Sequence, residues 1–468
     1  MSPKQVVMRK LINRELDESV GTRRQKRMWG LAASGIGLDG YDLFIMSAAI
    51  PLLKDQFDIS TPALIAWLGG AAVVGAIPGA VISGILADRF GRQIIMRVDV
   101  LVFALTAVLC ALAWNPVALV VFRLIQGFAI GAEYPMSAAV VAENLPRRNR
   151  GKWMTAAFGF QALGMALAAG VATLALLFAS DEAWRWMFLS GLVPAVVVGI
   201  LRQRMPEGPR WLARQGRMDE AIESLEWLLG PSAVANVQHG IGESDELDEA
   251  AGRKGAVREL LTQRFRRRTA LVTLPWFLMD IALYGVGMFT PMILLVLFAS
   301  GVEADGSSLL QADIEATASA ALADVFLMLG FIVNILLVER LGRIKLQVAG
   351  FIGMAVGTMT VALTAGNGGS VVWAVIGFMI FNLMLNTGPN ATTYLLPAEV
   401  YPTRLRTTGH GIAAAFGKLG ATVGVFLLPA ALDAYGLSTT MIAIALVALI
   451  GAVVTLVCRV ETRGLALE

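Results

Sequence analysis

The sequence predicts an all-α membrane protein, with twelve transmembrane helices in two pseudo-symmetric six-helix bundles. Three observations carry that prediction. First, 56% of the 468 residues are hydrophobic and only 16% are charged, with a mean hydropathy of +0.68. Soluble domains carry about 25% charged residues, so this composition cannot cover a soluble protein of that length. Second, apolar runs near the ~20 residues that cross a bilayer recur along the chain. Third, two charged motifs occur once in each half.

In chain order the runs fall at 29–53, 62–87, 94–114, 116–142, 151–179 and 184–201, then at 268–299, 318–338, 345–366, 370–395, 408–433 and 437–457. A polar stretch divides the sixth run from the seventh. The expected organisation is a segment at 1–28, a bundle at 29–201, a linker at 202–267, a second bundle at 268–458 and a tail at 459–468. Within the linker, EGPRWLARQGRMDEAIESLEWLL places apolar residues at helical spacing with charges between them. That pattern predicts short amphipathic helices on the cytoplasmic face. The Gly- and Asp-rich stretch 240–253 predicts a flexible connection.

Basic residues set the orientation. Lys4, Arg9, Lys10, Arg14, Arg23, Arg24, Lys26 and Arg27 precede the first span, and the even-numbered turns carry Arg89, Arg92, Arg147, Arg148, Arg150 and Lys152. Their second-half counterparts carry Arg340, Arg343, Lys345, Arg404 and Arg406, whereas Lys54 is alone among acids in the alternate turns. Basic loops stay cytoplasmic, so both termini are expected inside. The charged first twenty residues contain no apolar core and do not read as a cleavable signal. Short loops and no targeting segment suit a bacterial inner membrane. Cys110 and Cys458 lie in apolar runs, which points away from a structural disulfide.

The halves repeat each other. GILADRFGRQ (84–93) aligns with LLVERLGRIK (336–345), and AENLPRRNRG (142–151) with AEVYPTRLRT (398–407). A duplicated six-span unit is an architecture of secondary transporters. Asp88, Arg89, Arg92, Glu143 and Arg150, with Glu339, Arg343, Glu399 and Arg406, are expected to latch the cytoplasmic side and to part when the halves rock. Positive-inside anchoring explains the arginines but not the acids beside them.

Ionisable groups inside spans cost at least about 2.5–3.5 kcal/mol each, so those present need a cavity or a partner. Span 1 holds Asp39 and Asp42, and span 4 holds Arg123, Glu133 and Tyr134. Span 7 sets Trp276, Asp280 and Tyr284 along one helical stripe. Span 10 holds Asn386 and Asn390, while spans 5 and 11 add Gln161 and Lys418. The Lys418 ammonium, the Gln161 and Asn390 amides, the Tyr134 and Tyr284 hydroxyls and the Trp276 indole can all donate to an oxyanion. A protonated Asp280 donates as well. A carboxylate partner would instead make Lys418 a structural ion pair.

These residues resemble the major facilitator superfamily. GILADRFGR after span 2 matches its best-known motif, and PEGPRWL after span 6 resembles the branch of sugar and phosphate porters. LDGYDLF (38–44), PWFLMDIALYG (275–285) and TGPNATTYLLPAEVYPTRLRTTGHGIAAAFGKLGA (387–421) are similar to the phosphate:proton symporter family. The resemblance implies that spans 1, 4, 7 and 10 surround a central cavity. It further implies Asp280 in substrate binding and Asp39 and Glu133 in proton movement. Asp42 and Arg123 join the proton-coupling set, with Arg123 as counter-charge. Two positions depart from the family: Glu133 stands where it usually has an aspartate, and Gln161 is followed by Ala162 rather than glycine.

The expected function is proton-coupled import of inorganic phosphate by alternating access. Tyr134, Gln161, Trp276, Asp280, Tyr284, Asn390 and Lys418 are the expected substrate residues. Symport of a sugar or organic anion is the alternative, weakened for sugars because span 7 lacks the paired glutamines of sugar porters. A transporter-like nutrient sensor ranks below both, since the linker contains no recognisable signalling domain. No enzyme is expected: the sequence has no phosphate-binding loop and no nucleophile elbow. His239 and His410 are isolated, with no metal-ligand spacing, so no metal and no cofactor is expected. The net charge of +3 is too mild to argue for nucleic acid. The expected partners are a small-molecule substrate, protons and the lipid bilayer, with the protein a monomer.

Overall fold

A computed structural model describes residues 3–146, 150–179, 182–241, 262–305, 309–366, 371–401 and 403–462. Among the described residues there are helices and no strands. A short helix, α1 (Pro3–Glu18), precedes α2 (Arg23–Gln56), α3 (Pro62–Phe90), α4 (Arg92–Ala111) and α5 (Pro116–Asn144). The fifth span is α6 (Arg150–Phe158) plus α7 (Phe160–Ala179), and the sixth is α8 (Ala183–Ser190) plus α9 (Leu192–Arg202). Three linker helices follow: α10 (Pro209–Arg214), α11 (Met218–Leu229) and α12 (Pro231–Ile241). The second half comprises α13 (Arg266–Asp305), α14 (Leu309–Leu341), α15 (Arg343–Gly366), α16 (Val371–Thr387), α17 (Pro389–Val400) and α18 (Thr403–Val457).

Among the described residues eleven stretches are long and apolar enough to cross a membrane. The last, Gly409–Val457, contains Gly436 at φ 74°, ψ 172°, where two helices meet. Counting its two parts gives the twelve spans. Local signals start them where the apolar runs begin. Thr22 and Gln25 form a capping box at the head of α2. Asn115 caps α5 through Ala118 N at 2.7 Å, with Pro116 in the first turn.

Helices within each half pack closely, most tightly where small residues face a neighbour's backbone. Between α3 and α5, a Cβ on Gly127 would lie 2.0 Å from the Ala72 carbonyl oxygen, and one on Gly131 2.1 Å from that of Ala76. Leu101, Leu105, Phe178, Val193 and Trp373 point outward and exposed, as lipid-facing side chains do.

The N-terminal segment is more ordered than its charge suggests. Helix α1 packs on α10 and α12, burying Ile12 and Leu16 completely. Thr22 Oγ1 donates to the Leu228 carbonyl at 2.7 Å, which ties α2 to the linker. These elements define one end of the molecule, called the linker side below. Most of the expected flexible stretch 240–253 lies outside the described residues. Both cysteines are free.

The repeat seen in the sequence is also a repeat of contacts. Arg92 bonds Glu143 at 2.7 Å. Its counterpart Arg343 bonds Glu399 at 2.8 Å and Glu339 at 3.0 Å. Glu207 Oε2 accepts from Gln93 N at 3.0 Å. Glu461 likewise accepts from the backbone of Arg343 and Ile344, each at 3.2 Å. The two acids thus cap α4 and α15, as expected for carboxylates at helix N-termini. Each cap fits beside a glycine at positive φ, Gly91 (99°) and Gly342 (89°). The side chains of Asp88, Arg89, Arg150 and Arg406 lie outside the described residues.

Candidate functional site

The seven substrate residues expected from the sequence come together. Tyr134, Gln161, Trp276, Asp280, Tyr284, Asn390 and Lys418 line one buried cavity with Phe158, Leu283 and Ala414 among others. Helical periodicity explains the convergence: Trp276, Asp280 and Tyr284 repeat every fourth residue and share one face of α13. Tyr134 comes from α5, Gln161 from α7, Asn390 from α17 and Lys418 from α18.

Lys418 is the electrostatic centre. Its Nζ donates to Tyr284 Oη at 2.6 Å and lies 4.3 Å and 4.7 Å from the ring centroids of Tyr134 and Tyr284. Such cation–π contacts strengthen when desolvated. Among the described residues it makes no direct salt bridge, while Asp39 and Asp280 act on it at longer range. Gly417, next to it, lets Trp276 and Asp280 approach: a Cβ there would sit 2.6 Å from Trp276 Nε1 and 3.0 Å from Asp280 Oδ2. Asn390 donates to Asn386 at 2.6 Å, and Asn386 in turn donates to the Leu327 carbonyl. Asn386 therefore positions Asn390 rather than lining the cavity.

Asp39 reaches the cavity through its neighbours. The Tyr134 hydroxyl donates to its carboxylate, and Gln161 Nε2 lies 2.8 Å from Tyr134 Oη and 3.4 Å from Asp39 Oδ2. Asp42, three residues on, is separately engaged by Arg123 at 2.5 Å, which also donates to Gln126 at 2.8 Å. The two aspartates of span 1 thus serve different partners.

Glu133 is held by Arg202 in a bidentate pair at 2.7 and 2.8 Å, and it accepts from Ser137. Asp99 stands 3.6 Å from the same guanidinium. Arg202 also donates to the carbonyls of Leu31 and Met96 at 3.0 and 3.1 Å, which joins four helices at one side chain. Gly35 makes room, since a Cβ there would lie about 2.1 Å from the Glu133 carboxyl. A second cavity lies beside this cluster, lined by Gly35, Asp39, Asp99 and Glu133 among others.

Aromatic contacts join the two halves on either side of the central cavity. On the linker side Phe158 stacks on Tyr394 at 4.6 Å and meets Phe331 edge-on at 5.7 Å, joining the two halves. At the opposite end Trp67 packs edge-on against Phe426 at 4.9 Å.

The model of a family described as "Sugar (and other) transporter" matches residues 30–468. The chain belongs to that family. Similar relatives are the inner membrane metabolite transport protein YgcS of Escherichia coli K12 and the probable inorganic phosphate transporter 1-6 of Arabidopsis thaliana. The first is 30% identical over 92% of this chain and 90% of its own; the second is 30% identical over 94% and 92%. Among solved structures, the partially occluded, inward-open xylose transporter XylE from E. coli matches with a TM-score of 0.78 at 20% identity, over 95% of this chain and 100% of that one. The likeness shows the twelve-helix major facilitator architecture. Family and fold are those of multi-pass membrane transporters, not enzymes.

For this member of the sugar (and other) transporter family, the expectations from sequence missed two participants. Arg202 falls at the first linker position by hydropathy, yet it ends α9 and is fully buried. Asp99 lies inside the apolar run 94–114 but follows Arg92 and Arg97, so it reads as part of a charged turn. The available signal was its position well inside α4. Of the expected latch residues, Arg92, Glu143, Glu339, Arg343 and Glu399 pair as described above, each set within its own half.

Proposed function

We propose that this transporter is a proton-coupled symporter that imports inorganic phosphate by alternating access across a bacterial inner membrane, with both termini and the linker cytoplasmic. One observation carries the reading: Lys418 is a buried cation that makes no salt bridge among the described residues, in a cavity lined by neutral donors and Asp280. An unpaired charge away from water is costly, and a phosphate oxyanion offsets that cost while accepting from Tyr284, Trp276, Gln161 and Asn390. Such charge-assisted bonds are the strong ones. Asp280 tolerates the anion when protonated, because its O–H then donates.

Coupling follows from Tyr134. It lines the cavity and its hydroxyl is committed to Asp39. Protonation of Asp39 frees that hydroxyl for the substrate, so proton and phosphate favour each other's binding. The pairs Asp42–Arg123 and Glu133–Arg202 complete the proton-coupling set, and rocking of the halves about the cavity delivers both cargoes.

An organic anion also satisfies an unpaired lysine, and a relative named as a metabolite transporter keeps that reading open as the competitor. The deciding experiment is uptake by purified protein in liposomes with an imposed pH gradient. Labelled phosphate should accumulate only with an inward proton gradient, and arsenate should compete while sugars and carboxylates do not. Proton-driven uptake of a sugar or carboxylate, with no phosphate flux, would overturn the assignment.

A further inference from the structure

The polar groups on the linker-side floor of the cavity have no part in the scheme above. On α17, Tyr394 follows the cavity residue Asn390 by four residues, one turn towards the linker side. On α18, His410, Ala414 and Lys418 repeat at the same interval, so His410 lies two turns below the buried ammonium. These stripes meet. His410 Nε2 is 3.2 Å from the Tyr394 carbonyl oxygen, and its ring stands edge-on to Tyr394 at 5.4 Å and to Trp276 at 5.8 Å. Trp276 itself lines the cavity, as does Phe158, which stacks on Tyr394 across the two halves.

Tyr394 is 1% exposed, and its hydroxyl has no hydrogen-bond partner among the described residues. Buried hydroxyls are almost always paired, and an orphan destabilises the state that contains it. A phenylalanine would stack on Phe158 equally well. Packing therefore accounts for the ring and leaves the oxygen unexplained. On the phosphate reading, an oxyanion leaving the cavity for the linker side passes this floor.

We propose that the Tyr394 hydroxyl is a further substrate-contacting donor, empty in the closed state and engaged by the oxyanion as it passes between the cavity and the linker side. The stack on Phe158 keeps the hydroxyl covered while the cavity is shut. Separation of the halves uncovers it beside the exit, where it takes over one of the hydrogen bonds that Lys418 and Tyr284 relinquish. His410 and Trp276 form the walls that fix the phenol in place. This inference rests on the phosphate reading for its ligand.

The test is Tyr394→Phe, which keeps the ring and removes only the oxygen. Equilibrium binding of labelled inorganic phosphate to the purified variant should match wild type within about twofold, because the central cavity is untouched. Uptake and exchange in liposomes should slow by about tenfold, the loss expected of one hydrogen bond to a charged group. Unchanged rates, accompanied by the higher unfolding temperature that removal of an orphan hydroxyl brings, would overturn the proposal. A parallel fall in binding would also overturn it, by placing the hydroxyl in the central site. Failure of the phosphate reading is separately visible, as absence of phosphate flux in wild type. The same pair of measurements is then made with the anion that wild type carries, and the same outcomes decide.

Discussion

Arg202 directs its guanidinium nitrogens at buried acceptors: the Glu133 carboxylate and the carbonyls of Leu31 and Met96. Its replacement strands a carboxylate among helices. Arg202→Leu should therefore destabilise the protein by about 3–5 kcal/mol, measured as a fall in unfolding temperature and in folded yield. Lys418→Gln is a different kind of change. The amide retains a donor to Tyr284 but loses the charge, so the protein should remain folded while phosphate binding falls at least about a hundredfold, read by equilibrium binding of labelled phosphate. Normal binding in that variant would remove the observation on which the functional reading stands. Residues of the cavity were legible in the sequence because a polar group in an apolar run is conspicuous by itself. Their partners were not. Nothing in the order of residues says that Glu133 meets Arg202 rather than Arg123, since that choice depends on which helix faces which.

At the scale of elements, the contact between α3 and α5 depends on glycine at two successive turns of α5. Gly127→Val should prevent that approach, because its side chain would meet the Ala72 carbonyl. The expected result is loss of folded protein in detergent, followed by size-exclusion chromatography. Gly436 has the opposite task, ending one helix and starting the next at positive φ. Span positions were legible because hydropathy reports on the solvent a helix meets. Helix ends were less so. Helix α2 starts at Arg23, six residues before its apolar run, since a capped helix extends into water without apolar residues. Helix α1 was not legible for a related reason: Ile12 and Leu16 are buried against linker helices, a short amphipathic contact that leaves no long apolar run.

For the molecule as a whole, the sequence displayed the duplication but not the closed state. The alignment of two motifs matched Arg92 with Arg343 and Glu143 with Glu399, and the structure joins each arginine to the acid of its own half. The alignment held no trace of which residues join the halves, because Trp67 and Phe426 are ordinary aromatic residues until their helices are set side by side. Their contact supplies a test of rocking. In a background with Cys110 and Cys458 replaced by alanine, Trp67→Cys combined with Phe426→Cys should be bridged by a short reducible cross-linker. Uptake should stop on cross-linking and return on reduction; uptake that continues in the cross-linked protein would show that this end need not open.

Glu207 and Glu461 carry a last consequence. One belongs to the linker and the other to the tail, yet each caps the third helix of its own half beside a glycine of the same conformation. Thr462 donates to Glu399 as well, so the tail is stitched into the second-half cluster. The structural repeat therefore runs past the sixth helix of each half, as far as the carboxylate that returns to cap the third.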